Sequence, residues 1–178
     1  MEVGSVDLMP IIETARGQDA VRAIAQAGTR IKRLSFGAGD YTKDLGMEWS
    51  LSEHELASMR AEMVVASRLG ELEPPVDTVF IHIKEDEAFR VSCELVRDLG
   101  FQGKLCIHPG QISTANAAFT PTEEQLAFAK KVIDAFVEAE AAGSASIQID
   151  GYFVDYPIVD KARRIVDIAE AIARAEAA

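Results

Sequence analysis

Charged side chains stand where short β-rich runs of this chain end. Glu13 closes Val6–Ile12, Asp40 follows Ile31–Phe36, Lys84-Glu85-Asp86 follows Val76–Ile83, and His108 closes Lys104–Ile107. In parallel α/β folds, ligands collect at the carboxyl ends of the strands. Glu13 and Asp40, at adjacent strand ends, therefore converge on one point. Two carboxylates that leave room for water are how proteins hold Mg²⁺, and oxygen donors without clustered His or Cys favour a hard cation over zinc. The competing reading makes both acids ordinary caps of the helices that follow. Gly37 and Gly39 favour the ligand, because a strand end without side chains lets backbone amides approach it.

Helical patterns must position these strand ends. Between Gly17 and Gly28, Ala20, Val21, Ile24 and Ala25 recur at helical spacing. A capping box, Ser52 with Glu55 or equally Ser50 with Glu53, opens a helix through Leu56, Met59, Met63, Val64 and Ala66 that ends near Gly70. A third helix runs from about Asp86 to Leu99 and stops at Gly100, which suits a left-handed cap. Strand and helix repeated in this way, with near-continuous apolar strands, predict a parallel sheet buried on both faces, either doubly wound or an α/β barrel. Gly37-x-Gly39 lacks a third glycine and does not follow the first strand, so it is a poor dinucleotide motif.

The tail has a different pattern. Thr120-Pro121-Thr122-Glu123 reads as a second capping box with Pro at the first helical position. Leu126, Ala129, Ile133, Phe136 and Val137 form the apolar stripe of the helix behind it, and Gly143–Ala145 breaks that helix. Ile147–Val154 reads as a hairpin turning at Asp150-Gly151, and Pro157 opens a final helix. Asp155, just before it, suits an ordinary helix cap.

Composition narrows the function classes. The net charge is −11, with 48% hydrophobic residues in 178 positions, ample for one core and too hydrophobic for a disordered chain. The acid surplus argues against a nucleic-acid partner, and the longest apolar runs are too short to cross a bilayer. No signal peptide is visible, and two cysteines cannot build a disulfide framework, so a cytoplasmic location is expected. Cys93 and Cys106 read as core atoms, His82 as a hydrogen-bonded core residue and His54 as solvated. His108 has no nucleophile to partner.

Three segments together carry a resemblance: Pro10-Ile11-Ile12-Glu13-Thr14, Phe36-Gly37-Ala38-Gly39-Asp40-Tyr41 with Asp44-Leu45-Gly46, and Gly103–Ile112. With Val154-Asp155-Tyr156-Pro157 as a fourth, they resemble the citrate lyase beta-subunit family, within the HpcH/HpaI aldolase and citrate lyase group, in order and over essentially the whole chain. The resemblance implies a (β/α)₈ TIM barrel with a C-terminal extension that packs on a neighbouring subunit, usually in trimers; a homo-oligomer, trimer or hexamer, is expected. It implies that Glu13 and Asp40 hold Mg²⁺, and that the backbone at Gly37, Ala38 and Gly39 binds a substrate carboxylate. Asp155 would reach a neighbouring subunit's site as the acid-base group, and His108 would mark the end of strand eight. The implied activity is carbon–carbon cleavage of a citryl-CoA-like 3-hydroxyacyl thioester, on CoA or an acyl carrier, into a keto acid and an acyl thioester. Malyl-CoA or citramalyl-CoA cleavage, or a hydroxy-keto-acid aldolase, is the alternative, and a noncatalytic subunit is a second.

The chain departs from that family in length. A (β/α)₈ barrel takes about 250 residues, and the motifs match only its second half. Residues 1–120 are thus expected to form a partial barrel equivalent to strands five to eight, and residues 121–178 the extension. The implied first half, with an arginine that clamps the keto acid and an early acidic residue near the CoA site, has no counterpart here. A truncated reading frame is the favoured explanation, because Met1-Glu2-Val3-Gly4 runs directly into a strand. A half-barrel that pairs with another chain and a noncatalytic remnant are the alternatives. An open half-barrel is expected to self-associate through its uncovered edges and inner face.

Overall fold

The computed structural model describes residues 2, 4–28 and 30–177. Met1 and Val3, in the segment leading to the first strand, lie outside the described residues. The chain divides into two compact units, Met1–Phe119 and Thr120–Ala178.

In the first unit, four parallel strands, β1 (Ile11–Ile12), β2 (Ser35–Phe36), β3 (Val76–Asp77) and β4 (Gly103–Lys104), lie side by side in chain order. Ile12 pairs with Phe36, Ser35 with Val76, and Asp77 with Lys104. A helix follows each strand: α1 (Ala15–Ala25), α2 (Ala38–Leu45) with α3 (Ala57–Leu69), α4 (Asp86–Leu99) and α5 (Ile112–Phe119). This parallel β/α order is the expected one. Pairing, however, covers only two residues per strand, far less than the apolar runs. Apolar continuity reports burial, whereas a ladder needs partner backbone groups. Beyond β4, for example, the Ile107 amide leaves the sheet and donates to the Gln111 side chain at 3.1 Å.

Helix ends follow local chemistry with some departures. Thr14 caps α1 by accepting from the Gly17 amide at 3.0 Å. Gly100 ends α4 at φ 106°, as its position predicts. The residues after Gly37, which read as the close of a strand, form helix α2, ended by Gly46 at φ 67°. Neither proposed box caps α3. Leu56 stands at its N-cap without a side-chain bond, Glu55 turns back to the amide and hydroxyl of Ser50, and Glu53 is drawn inward. The pull on Glu53 is a buried cation: Arg60 donates to it at 2.7 Å and to both oxygens of Asp77, and Lys104 meets Asp77 at 2.5 Å. Two acids and two bases thus neutralise one another out of water, tying β3 and β4 to α3. Around them Phe36, Leu34, Met59, Met63, Leu56 and Val96 fill the core.

The second unit is α6 (Glu123–Ala141), a hairpin of β5 (Ile147–Ile149) and β6 (Tyr152–Val154), and α7 (Tyr156–Glu176). Its capping box is Thr122 with Gln125, so Pro121 precedes the cap instead of opening the helix. The hairpin turns as expected through Asp150 at φ 50° and Gly151 at φ 87°. Ala129, Val132 and Phe136 of α6 pack with Val154, Val159 and Ala162, whereas Val137, expected in the stripe, is exposed. Among the described residues no helix is long and apolar enough to cross a membrane.

Candidate functional site

Glu13 leaves the carboxyl end of β1 half-buried, with its side chain laid against the backbone of Gly37 at the end of β2. A Cβ on Gly37 would stand 2.7 Å from Glu13 Oε2, 2.8 Å from Glu13 Cβ and 2.9 Å from Ile11 Cγ2. Only glycine leaves room for that carboxylate. Gly37 is the N-cap of α2, so Glu13 lies over the start of the helix whose first turn carries Asp40. Asp40 is exposed, and among the described residues its ion pairing is limited to a loose one, 3.9 Å to Lys43. One turn on, Asp44 accepts from the Ala15 amide at 2.8 Å. Residues 40 and 44 share a helix face, so the face bearing Asp40 looks toward the β1–α1 turn that holds Glu13. Among the described residues no three His, Cys, Asp or Glu side chains form a cage for a metal. Glu13 and Asp40 offer two carboxylates with open positions around them, the oxygen-donor chemistry that would suit Mg²⁺ completed by substrate and water.

The backbone amides at the start of α2 are placed differently from one another. The Ala38 amide is occupied: it donates to Thr78 Oγ1 at 2.9 Å inside the protein. The next two amides, of Gly39 and Asp40, have no acceptor among the described residues. They form the open pair at the positive end of the helix. The Trp49 ring flanks them, 3.6 Å from where a Gly39 Cβ would be, and its Nε1 donates to Glu53 at 3.4 Å.

The family model "HpcH/HpaI aldolase/citrate lyase" matches residues 1–109, well over half of the chain. The chain belongs to the HpcH/HpaI aldolase/citrate lyase family. It is 33% identical over 175 residues to citrate lyase subunit beta of Haemophilus influenzae, covering 98% of this chain and 60% of that protein. It is 34% identical to a (3S)-malyl-CoA thioesterase of Cereibacter sphaeroides, covering 96% of this chain and 59% of that one. Among solved structures, the protein CitE of Mycobacterium tuberculosis in complex with magnesium, acetoacetate and coenzyme A is similar, with a TM-score of 0.77 at 25% identity. That likeness covers 93% of this chain and 62% of CitE. The chain thus spans about 60% of the length of the relatives it matches.

The other candidate residues of this family member are placed as follows. Asp155 stands at the N-cap of α7, half-buried, yet makes no capping hydrogen bond, so its carboxylate is not used as a cap. His108 Nδ1 accepts from the Gly110 amide at 3.1 Å and caps the short turn Pro109–Gln111, a structural role. His82 packs edge-on against Phe80, but its buried Nε2 has no partner among the described residues, contrary to the hydrogen-bonded residue expected. His54 is exposed, as its pattern suggests. Cys93 is a core atom, with burial pushing its thiol up to about 12, whereas Cys106 is exposed because the chain leaves the sheet after β4. Sequence reasoning missed Thr78, Asp44 as a bonding partner and the buried charges. Asp77, a charge inside an apolar run, was the available signal for the last.

Proposed function

We propose that this chain carries the metal-binding side of a magnesium-dependent carbon–carbon lyase site. The substrate would be a citryl-CoA-like 3-hydroxyacyl thioester, cleaved to an oxaloacetate-like keto acid and an acyl thioester. The reading rests chiefly on the Glu13 carboxylate seated across Gly37 at the start of the helix that bears Asp40. It is supported by relatives named citrate lyase subunit beta and by solved M. tuberculosis relatives holding magnesium with oxaloacetate, pyruvate or acetoacetate. Coenzyme A in one of those complexes supports an acyl-CoA or acyl-carrier thioester as the partner.

Bound Mg²⁺ would supply Lewis-acid charge to the oxygens of the keto-acid half. Glu13 and Asp40 would hold it through one carboxylate each. The free amides of Gly39 and Asp40 would donate to the substrate carboxylate and fix its orientation. Asp155, from a neighbouring copy in a homo-oligomer, would take the proton of the substrate hydroxyl as the C–C bond breaks. The bonding pair passes to the thioester enolate, and the proton is returned to its carbon. The extension, residues 121–178, would thus serve the site of another subunit.

The malyl-CoA thioesterase relative favours a second reading with the same substrate class and a different bond cleaved. Isothermal titration with Mg²⁺ and oxaloacetate, followed by product analysis on citryl-CoA and malyl-CoA, tests both. A keto acid plus acyl-CoA is the expected outcome, and free CoA plus the hydroxy acid would establish the thioesterase. Glu13→Gln and Asp40→Asn should each abolish Mg²⁺-dependent binding of oxaloacetate; binding unchanged in either variant overturns the site.

A further inference from the structure

We propose that Asp44 is a positioning residue that latches the turn carrying Glu13 to the helix carrying Asp40. The inference rests on the reading of those two acids as a divalent-cation site and adds a group that holds them in register. Asp44 Oδ2 accepts from the Ala15 amide at 2.8 Å, a bond that spans 29 residues of sequence. Ala15 is two residues beyond Glu13, and Asp44 is one helical turn beyond Asp40. The bond therefore links the two segments just beside the carboxylates. Gly37 N donates to Ile12 O at 3.0 Å on the strand side of the same junction. The latch closes the junction on its helix side.

Local chemistry shows why the position suits a carboxylate. Ala15 is the first residue of α1, and its amide has no acceptor within its own helix. Thr14 serves the Gly17 amide, and the first turn of α1 contains no acidic residue. Asp44 supplies that missing anion from another element. Outer-shell bonds that orient metal ligands typically govern affinity by about 10- to 100-fold, and this one orients a backbone turn rather than a ring.

The test separates the latch from a simple helix cap and from direct ligation. Mn²⁺ binding to the full chain, read by electron paramagnetic resonance of the free ion, is measured beside the thermal midpoint. Asp44→Ala should weaken Mn²⁺ binding about tenfold or more. Asp44→Asn, which keeps an acceptor oxygen, should stay within about threefold of the unaltered chain. Ala15→Pro removes the donor alone: proline fits the first helical position, and Thr14 at φ −145°, ψ 160° is already extended. It should weaken Mn²⁺ binding as Asp44→Ala does, and it carries the test if that variant does not fold. A thermal shift with unchanged Mn²⁺ affinity in Asp44→Ala or Ala15→Pro overturns the latch, as does an Asn variant as weak as the Ala variant. Glu13→Gln serves as the reference. Should it bind Mn²⁺ like the unaltered chain, the metal-site reading itself fails; should it lose binding while Ala15→Pro does not, only the latch fails.

Discussion

Arg60 grips Asp77 through two parallel hydrogen bonds, Nε to Oδ1 at 3.0 Å and Nη2 to Oδ2 at 2.9 Å, and neither side chain has any exposed surface. The same Nη2 reaches Glu53, which also accepts from Ser92 at 2.5 Å, so one guanidinium joins α3, β3 and α4. Truncating one partner leaves carboxylates buried with too little positive charge. Arg60→Met is expected to cost about 3–5 kcal/mol of unfolding free energy in urea. Adding Glu53→Gln to it should cost less than the two single losses summed, because the pair is coupled. A loss below about 1 kcal/mol for Arg60→Met would show that the ion cluster is not a stabilising unit.

Gly37 and Gly39, two residues apart, should respond oppositely to a methyl group. At Gly37 the new Cβ would collide with Glu13 at 2.7 Å, and at Gly39 it would meet Trp49 at an ordinary 3.6 Å. Gly37→Ala is therefore expected to displace the carboxylate and weaken Mg²⁺ binding about tenfold or more, with Gly39→Ala changing it little. Calorimetric titration of both variants checks this, and equal affinities would contradict the packing of Glu13 on Gly37.

The two thiols should differ in reactivity. Burial pushes the Cys93 thiol up to about 12, and Cys106 is raised by its own partial burial but remains exposed. At pH 8 the Cys93 thiolate fraction is about one in ten thousand. One equivalent of iodoacetamide per folded chain is expected, at Cys106 and more slowly than a free thiol, with the second reacting only in denaturant. A fast phase that survives Cys106→Ser would be inconsistent with this burial.

Acid should weaken the loop before α3 through Glu55. Burial alone would raise its pKa, but the hydroxyl and amide of Ser50 hold the carboxyl below its ordinary value of 4.5. Since the folded value is the lower one, the stabilisation is complete above 4.5 and is lost as the pH falls through the folded value. Urea midpoints of the unaltered chain and Glu55→Gln should differ at pH 6 and converge toward pH 3. A gap that stays constant over that range would rule out the linkage.

Periodicity and local signals disclosed much of this fold. The α4 span with its Gly100 stop and the Asp150-Gly151 hairpin depend on contacts within a few residues, which spacing records directly, and the parallel order was legible from the alternation of apolar runs with helical patterns. Glu13 and Asp40 stood out because strand ends can be read from apolar runs. Long-range bonds decided the rest. Thr78 claims the Ala38 amide from 40 residues away, Asp44 reaches Ala15 across 29, and Arg60 draws Glu53 out of a capping role into the interior. A donor or acceptor chooses its partner by geometry in three dimensions. Residue type alone announces that a partner is needed, and only the folded chain brings the two within reach.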